Sequence, residues 1–220
     1  MTHFIKNVFG TIKGFFFTVR CPYCGKVIEP AKNSCDKCRK EFPEMPLVRY
    51  ATGGYICTSP FPYEKIFRNA VINFKFHNCG IYAEPLAHEM VRAIKDVYRD
   101  KDFDIVTCVP MHKDTLKERG YNQAELLARE CAKLLGIEYA DLLAKTKKNK
   151  TQHSIKAAER AKNVIGVYSP IDKNFIKGKR ILIIDDIITT GSTLGECARI
   201  LNKCKCGEIC CCTLCTSLLV

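Results

Sequence analysis

KRILIIDDIITTGST, from Lys179 to Thr193, joins an apolar run, two adjacent carboxylates and a hydroxyl-rich loop in one short stretch. Ile181 to Ile184 is a continuous apolar run with β-branched emphasis, the pattern of a strand covered on both faces in a parallel α/β sheet. Asp185 and Asp186 then fall at its carboxyl end. Ligands of open α/β sheets bind at that edge, so two acids there are placed for chemistry rather than for solubility. Thr189, Thr190, Gly191, Ser192 and Thr193 follow, and from Leu194 to Lys203 the residues Leu194, Cys197, Ala198 and Leu201 recur at helical spacing. Hydroxyls, a glycine that lets the backbone come close and the free N–H groups of a starting helix make a cradle for a phosphate dianion. No Gly-x-x-x-x-Gly-Lys or Gly-x-Gly-x-x-Gly occurs, which argues against a nucleoside-triphosphate or dinucleotide pocket. The carboxylates must then serve a group beside the phosphate. A ribose with free 2′ and 3′ hydroxyls fits, one sugar away from its own 5′-phosphate.

The run from Ile181 to Thr193 resembles the phosphoribosyl-pyrophosphate (PRPP) signature of type I phosphoribosyltransferases: an apolar strand, Asp-Asp, two apolar residues, then Thr-Thr-Gly-x-Thr. The resemblance implies that Asp185 and Asp186 hold the ribose hydroxyls and that Thr189, Thr190, Gly191, Ser192 and Thr193 hold the 5′-phosphate. The competing structural reading is a buried strand followed by an ordinary capped turn.

A chain of 220 residues with 47% hydrophobic content suits one α/β domain plus a small appendage. Its 35 basic and 23 acidic residues give a formal charge of +12, which points to polyanionic partners without choosing among pyrophosphate, nucleotides and nucleic acid. Phe4, Ile5, Val8, Phe9, Ile12 and Phe15 to Phe17 lie near helical spacing with Lys6, Lys13 and Arg20 and no acid. No apolar run reaches the ~18 residues of a membrane span, and no small-residue cleavage site follows, so a cytoplasmic protein is expected. That first segment, 1–17, reads as an amphipathic helix packed on its own protein or lying on a membrane surface.

Cys21, Cys24, Cys35 and Cys38 form two Cys-x-x-Cys knuckles. Each pair can wrap one side of a tetrahedral Zn2+, and Lys26, Lys37, Arg39 and Lys40 moderate the charge of the four thiolates. Disulfides are the alternative, and no secretory signal accompanies them. Four thiolates leave no open coordination position, so the expected role is structural. The later cysteines Cys204, Cys206, Cys210, Cys211, Cys212 and Cys215 sit in a β-prone segment from Glu208 to Val220 and read as core packing, with no second metal site assigned.

Between these ends, Tyr63 to Phe76, Ala83 to Tyr98 and Asn122 to Leu135 have helical periodicity, and Asp104 to Pro110 is a second buried strand. His77 and His88 lack a partner at metal spacing. MHKDTLKERGY, residues 111–121, reads as a basic loop at the carboxyl end of a parallel strand, on the same edge as the acidic pair. Val109-Pro110 followed by Arg119-Gly120-Tyr121-Asn122-Gln123-Ala124 resembles the ComF family, whose members carry Arg-Gly-aromatic-Asn-Gln-Ala here and an N-terminal four-cysteine finger. The basic stretch from Lys145 to Lys162, then Asn163-Val164-x-Gly166-Val167-Tyr168, extends the resemblance, with Gln152 and Arg160 in the family's flexible loop. Lys145 stands where the resemblance calls for arginine, which would grip phosphate bidentately.

The expected architecture is α/β, a parallel sheet like that of type I phosphoribosyltransferases, with an amphipathic segment at 1–17, a zinc ribbon at 18–46, a hood at 47–100 and a core at 101–220. The resemblance implies a phosphoribosyltransferase that uses Mg2+ and releases pyrophosphate as a nucleophilic acceptor, which no residue pattern names, attacks the ribose. Pro110, Arg119, Gln152 and Arg160 fall on its pyrophosphate side and flexible loop. The resemblance leaves two other roles open: an accessory of natural competence that associates with single-stranded DNA, and a non-catalytic PRPP sensor. No N-terminal cysteine glutaminase domain is visible, which argues against glutamine-driven amination. The residues do not fix an oligomeric state.

Overall fold

The computed structural model describes residues 18–76, 80–147 and 164–217. Its strands are β1 (Leu47–Ala51), β2 (Tyr55–Ser59), β3 (Phe61–Pro62), β4 (Ile105–Cys108), β5 (Glu138–Tyr139), β6 (Leu143–Lys145), β7 (Tyr168–Pro170), β8 (Arg180–Ile188) and β9 (Glu208–Thr216). The helices are α1 (Asp36–Arg39), α2 (Lys65–Phe76), α3 (Ala83–Val97), α4 (Lys113–Arg119), α5 (Gln123–Leu135), α6 (Lys173–Ile176) and α7 (Ser192–Lys203). None of the described helices is long and apolar enough to cross a membrane.

The main sheet runs β1-β2-β9-β8-β4-β5, with β3 also on β9. Every pairing in it is parallel except that of β1 with β2. β8, the strand of the acidic pair, is central, between β4 and β9. Alternation sends its successive side chains to opposite faces. Leu182 and Ile184 join Val106, Cys210 and Cys212 in a core with α2, α3 and α5. Ile181 and Ile183 join Ile105 and Cys211 in a second core with α7, β6 and β7. Both faces of the strand are therefore dry, which is why its sequence is apolar without alternation.

Three expectations change. β8 does not stop at Ile184 but pairs with β9 as far as Ile188, so the two acids lie within the strand and the loop shortens to Thr189 to Gly191. The segment at 111–121 is not simply a loop: it holds α4, with His112 as N-cap and Gly120 left-handed at the C-cap. The acid in its first turn, the cations in its last and the closing glycine were a readable helix signal. The segment at 47–100 donates β1, β2 and β3 to the main sheet while α2 and α3 cover one face, so it shares the core's hydrogen bonds and packing. The C-terminal cysteines behave as small hydrophobes: Cys210, Cys211, Cys212 and Cys215 are buried along β9, and every described cysteine is a free thiol. The 1–17 segment and His77 lie outside the described residues.

Helix α7 crosses so close to the β1–β2 turn that Gly195 has no room for a side chain. A Cβ there would lie 2.3 Å from Thr52 O and 2.7 Å from Thr52 Cβ. Helix propensity alone favours alanine by about 1 kcal/mol. The clash is with backbone, so Gly195→Ala is expected instead to destabilise by about 3 kcal/mol, read as a lowered urea midpoint. An unchanged or raised midpoint would show that the turn yields.

Candidate active site and metal centre

Asp185 and Asp186 are consecutive on an extended strand, so they part to opposite sides of the sheet's carboxyl edge. On the α2 side, Lys75 Nζ meets Asp186 Oδ2 at 2.6 Å. On the other, Asp185 shares the cleft wall with Lys145, Tyr168 and Thr193. Asp185 Oδ1 accepts from the Asp186 N–H at 2.8 Å. Burial, and after it the charge of Asp186, pushes the Asp185 carboxyl up to about 8, against the pull of the Asp186 N–H, Lys75 and Lys145. Burial pushes the Lys145 ammonium down, opposed by Cys197 and Asp185, and its Nζ lies 5.5 Å from the Tyr168 ring centre.

The loop after β8 is a tight cup. Gly191 takes φ 74°, the left-handed region open to glycine, and caps α7. Thr190 Oγ1 and Ser192 Oγ are 2.9 Å apart, and the Ser192 N–H donates to Thr190 Oγ1. Thr52 N–H donates to Gly191 O at 3.2 Å, fixing the cup to the β1–β2 turn. Asp185 and Ile187 to Leu194 line the cup, so Thr189, Thr190, Gly191, Ser192 and Thr193 converge there as expected.

Beside the cup is a cleft of about 260 Å³, walled by Pro110, His112, Arg119 and Gln123 from the β4–α5 connection and by Asp185 and Asp186 from β8. Asn122 shapes this wall. Its Oδ1 caps α5 by accepting from the Ala124 N–H, and its Nδ2 donates to Val109 O at 3.1 Å. Arg119 Nη1 donates to Gln123 Oε1 at 2.9 Å, and Tyr121 Oη donates to Phe74 O at 2.7 Å. Pro110 and Arg119 are thus brought to the acidic pair, whereas Gln152 and Arg160 lie outside the described residues. Lys75 was not foreseen: it is one cation in the last turn of an amphipathic helix, and nothing in its neighbourhood marks it.

The four cysteines of the ribbon meet. Their sulfurs lie within 4.8 Å of one another, and Cys24 Sγ is 3.7 Å from Cys35 Sγ. A tetrahedron of Zn–S bonds of about 2.3 Å has edges of about 3.8 Å, so this ligand set fits zinc. The Cys38 N–H donates to Cys35 Sγ, and that bond above all holds the Cys35 thiol down at about 7. The ribbon is riveted to the rest of the chain. Tyr23 packs edge-on against Phe42, Phe61 and Phe67, Arg39 pairs with the buried Glu89 of α3, and Asn73 Nδ2 donates to Pro22 O.

The family model of the phosphoribosyl transferase domain matches residues 121–218. The chain is 29% identical to Competence protein F of Haemophilus influenzae over 218 residues, covering 88% of this chain and 95% of that protein. It is likewise 29% identical to Competence protein ComFC of Bacillus subtilis, over 86% of this chain and 74% of that one. These likenesses support a ComF-like protein with a type I phosphoribosyltransferase-like domain. A third relative, the DNA utilization protein YhgH of Escherichia coli, is 24% identical over 83% of this chain and 78% of its own. The four-cysteine ribbon lies before the residues that the domain model matches.

Proposed function

We propose that this chain binds PRPP and transfers its phosphoribosyl group to a nucleophilic acceptor, releasing pyrophosphate. The observation that carries the reading is the joining of the Asp185–Asp186 pair to the hydroxyl cup on the central strand, beside a cleft that also contains Pro110, Arg119 and Lys145. Asp185 and Asp186 accept hydrogen bonds from the ribose hydroxyls, and Thr189 to Thr193 cradle the 5′-phosphate with backbone and side-chain donors. Arg119 faces the pyrophosphoryl end, and the resemblance assigns Gln152 and Arg160, which lie outside the described residues, to the same end. Magnesium would be held by the acidic pair, which offers carboxylate oxygens to a hard cation, and would supply positive charge to offset that of the leaving pyrophosphate. The chain's own residues supply position and electrostatics: they hold the ribose as its C1′ loses pyrophosphate and gains positive charge, and leave the opposite face to the acceptor.

The test is pyrophosphate release from PRPP with magnesium and a panel of bases and amines. Arg119→Ala is expected to slow release about 100-fold with little change in melting temperature, because the guanidinium acts on the developing negative charge. Absence of release with every acceptor would remove the catalytic reading.

A second role is favoured by the +12 charge and by the names of the competence and DNA utilization relatives: association with single-stranded DNA. It requires affinity that falls steeply with salt as counterions are released. PRPP as a competitor tells whether the two ligands share a surface.

A further inference from the structure

Glu196 is a buried acid outside the residues that line the cleft and the cup. It is 5% exposed and stands on the second turn of α7, after the cup residue Ser192. A carboxylate removed from water is costly unless its oxygens are engaged. Here both are: Arg199 Nε donates to Oε2 and Arg199 Nη2 to Oε1, each at 2.7 Å, and the Gly166 N–H donates to Oε1 at 3.0 Å. The bonds from Arg199 above all hold the carboxyl below the usual range, so it stays an acceptor.

Arg199 is a neighbour on the same helix, whereas Gly166 lies in the turn that leads into β7. Gly166 takes φ 72°, which glycine tolerates, and the Val167 N–H donates to Val164 O across that turn. Val167 O in turn accepts from the Thr146 N–H at 2.8 Å and from Thr146 Oγ1 at 3.2 Å. The next pair along the hairpin is Lys145 with Tyr168, and both line the cleft with Asp185. A lysine ammonium rides on a flexible four-carbon stem, so its place depends on the backbone beneath it. At the other end α7 is fixed by the Thr52 N–H on Gly191 O. From Ser192 to Glu196 the helix rises about 6 Å, a rigid length that joins the cup to the anchor of the hairpin.

We propose that Glu196 is a positioning residue: through the Gly166 N–H it sets the β6–β7 hairpin against α7 and so places Lys145 beside Asp185, toward the ligand held by the cup. Glu196 itself touches no ligand. The role rests on the PRPP reading above.

Two readouts on the full chain test it. The first is PRPP affinity by calorimetry with magnesium. Lys145→Met is expected to weaken binding about tenfold and Glu196→Met about fivefold. The double variant should bind no more weakly than Lys145→Met alone, because an anchor has nothing to place once the ammonium is gone. The second readout needs no ligand: the 13C signal of the reductively methylated Lys145 amine, assigned by its absence from Lys145→Met. Burial holds that amine below the ordinary lysine range, and in Glu196→Met its titration should move back up as the loosened hairpin admits water. Glu196→Gln keeps an oxygen for the Gly166 N–H and is expected to hold both readouts at wild-type values. Arg199→Ala removes only the ion pair, so it should lower the melting temperature and leave both readouts unchanged. If Glu196→Met does not fold, Glu196→Asp, with the same charge and a shorter reach, takes its place in both. Additive losses in the double variant, an unmoved Lys145 signal, or an equal shift in Arg199→Ala would reduce Glu196 to a stabilising ion pair and overturn the proposal. Should wild type bind no PRPP, the PRPP reading falls, and the Lys145 signal still decides whether Glu196 places that ammonium.

Discussion

Asp185→Asn combined with Asp186→Asn is expected to raise the PRPP dissociation constant, measured by calorimetry with magnesium, by about 100-fold or more. Hydrogen bonds to a carboxylate contribute about 1.5–3 kcal/mol each, and with binding measured above pH 8, where Asp185 has lost its proton, both carboxylates are replaced by amides that lack the charge. The same acids cost stability, and the cost has a defined pH window. Asp185 is held up at about 8 in the folded chain, by burial first and by Asp186 second, against an ordinary carboxylate value of about 4 when unfolded. Between those values the native state keeps a proton that the unfolded state has lost, so stability falls as pH rises through that range. Asp185→Asn alone removes the penalty. Its melting temperature should match that of wild type near pH 4 and exceed it by several degrees at pH 8. Equal PRPP binding by wild type and double variant would remove the ribose clamp, and a melting difference that stays flat with pH would remove the burial account of Asp185. The two readouts are independent, because one concerns a ligand and the other the unliganded chain.

Cys38→Ser is expected to produce the largest loss of stability. About one equivalent of zinc should copurify with the wild-type chain and nearly none with the variant, since a three-thiolate set cannot close the tetrahedron. The damage should extend past the ribbon. Cys21, Tyr23 and Cys38 belong to the same buried cluster as Phe61, Phe67 and Phe74 of the strand and helix beyond, and Arg39 offsets the buried charge of Glu89 on α3. Loosening the ribbon exposes those rings and leaves that carboxylate to Arg92 alone, so the melting temperature should fall by about 10 °C or more, as an effect of several kcal/mol does in a chain of this length. Chelation of wild type should give the same fall. Full metal occupancy in a chain lacking both Cys21 and Cys38 would refute the site, and two equivalents in wild type would bring the C-terminal cysteines back into consideration.

The acidic pair, the hydroxyl cup and the cysteine knuckles were legible because each is a local pattern: neighbours in sequence are forced to be neighbours in space by one strand end, one turn or one pair of knuckles. The four long helices, α2, α3, α5 and α7, were legible for a similar reason, since their apolar residues repeat within the helix itself. The stretch of the β1–β2 hairpin is aromatic and β-prone from Tyr50 on, which by itself reads as the start of a linker or small hood. What makes it sheet is pairing with β9, more than 150 positions later, between Cys57 and Cys211 and between Thr58 and Cys212. Helix α4 was missed for the opposite reason. Its charges looked like a solvated loop, although its caps were in plain view.

By itself, then, the sequence determined the central strand, the acids and hydroxyls at its carboxyl edge and the meeting of the four cysteines of the ribbon, all of which depend on spacing along the chain. Only the tertiary structure decided which cations meet the acids. Lys75 lies on α2, Lys145 at the end of β6 and Arg119 at the end of α4, and none is within reach of Asp185 or Asp186 in sequence. Their convergence follows from packing two cores on opposite faces of one sheet, which sends Asp186 toward α2 and Asp185 toward β6 and β7.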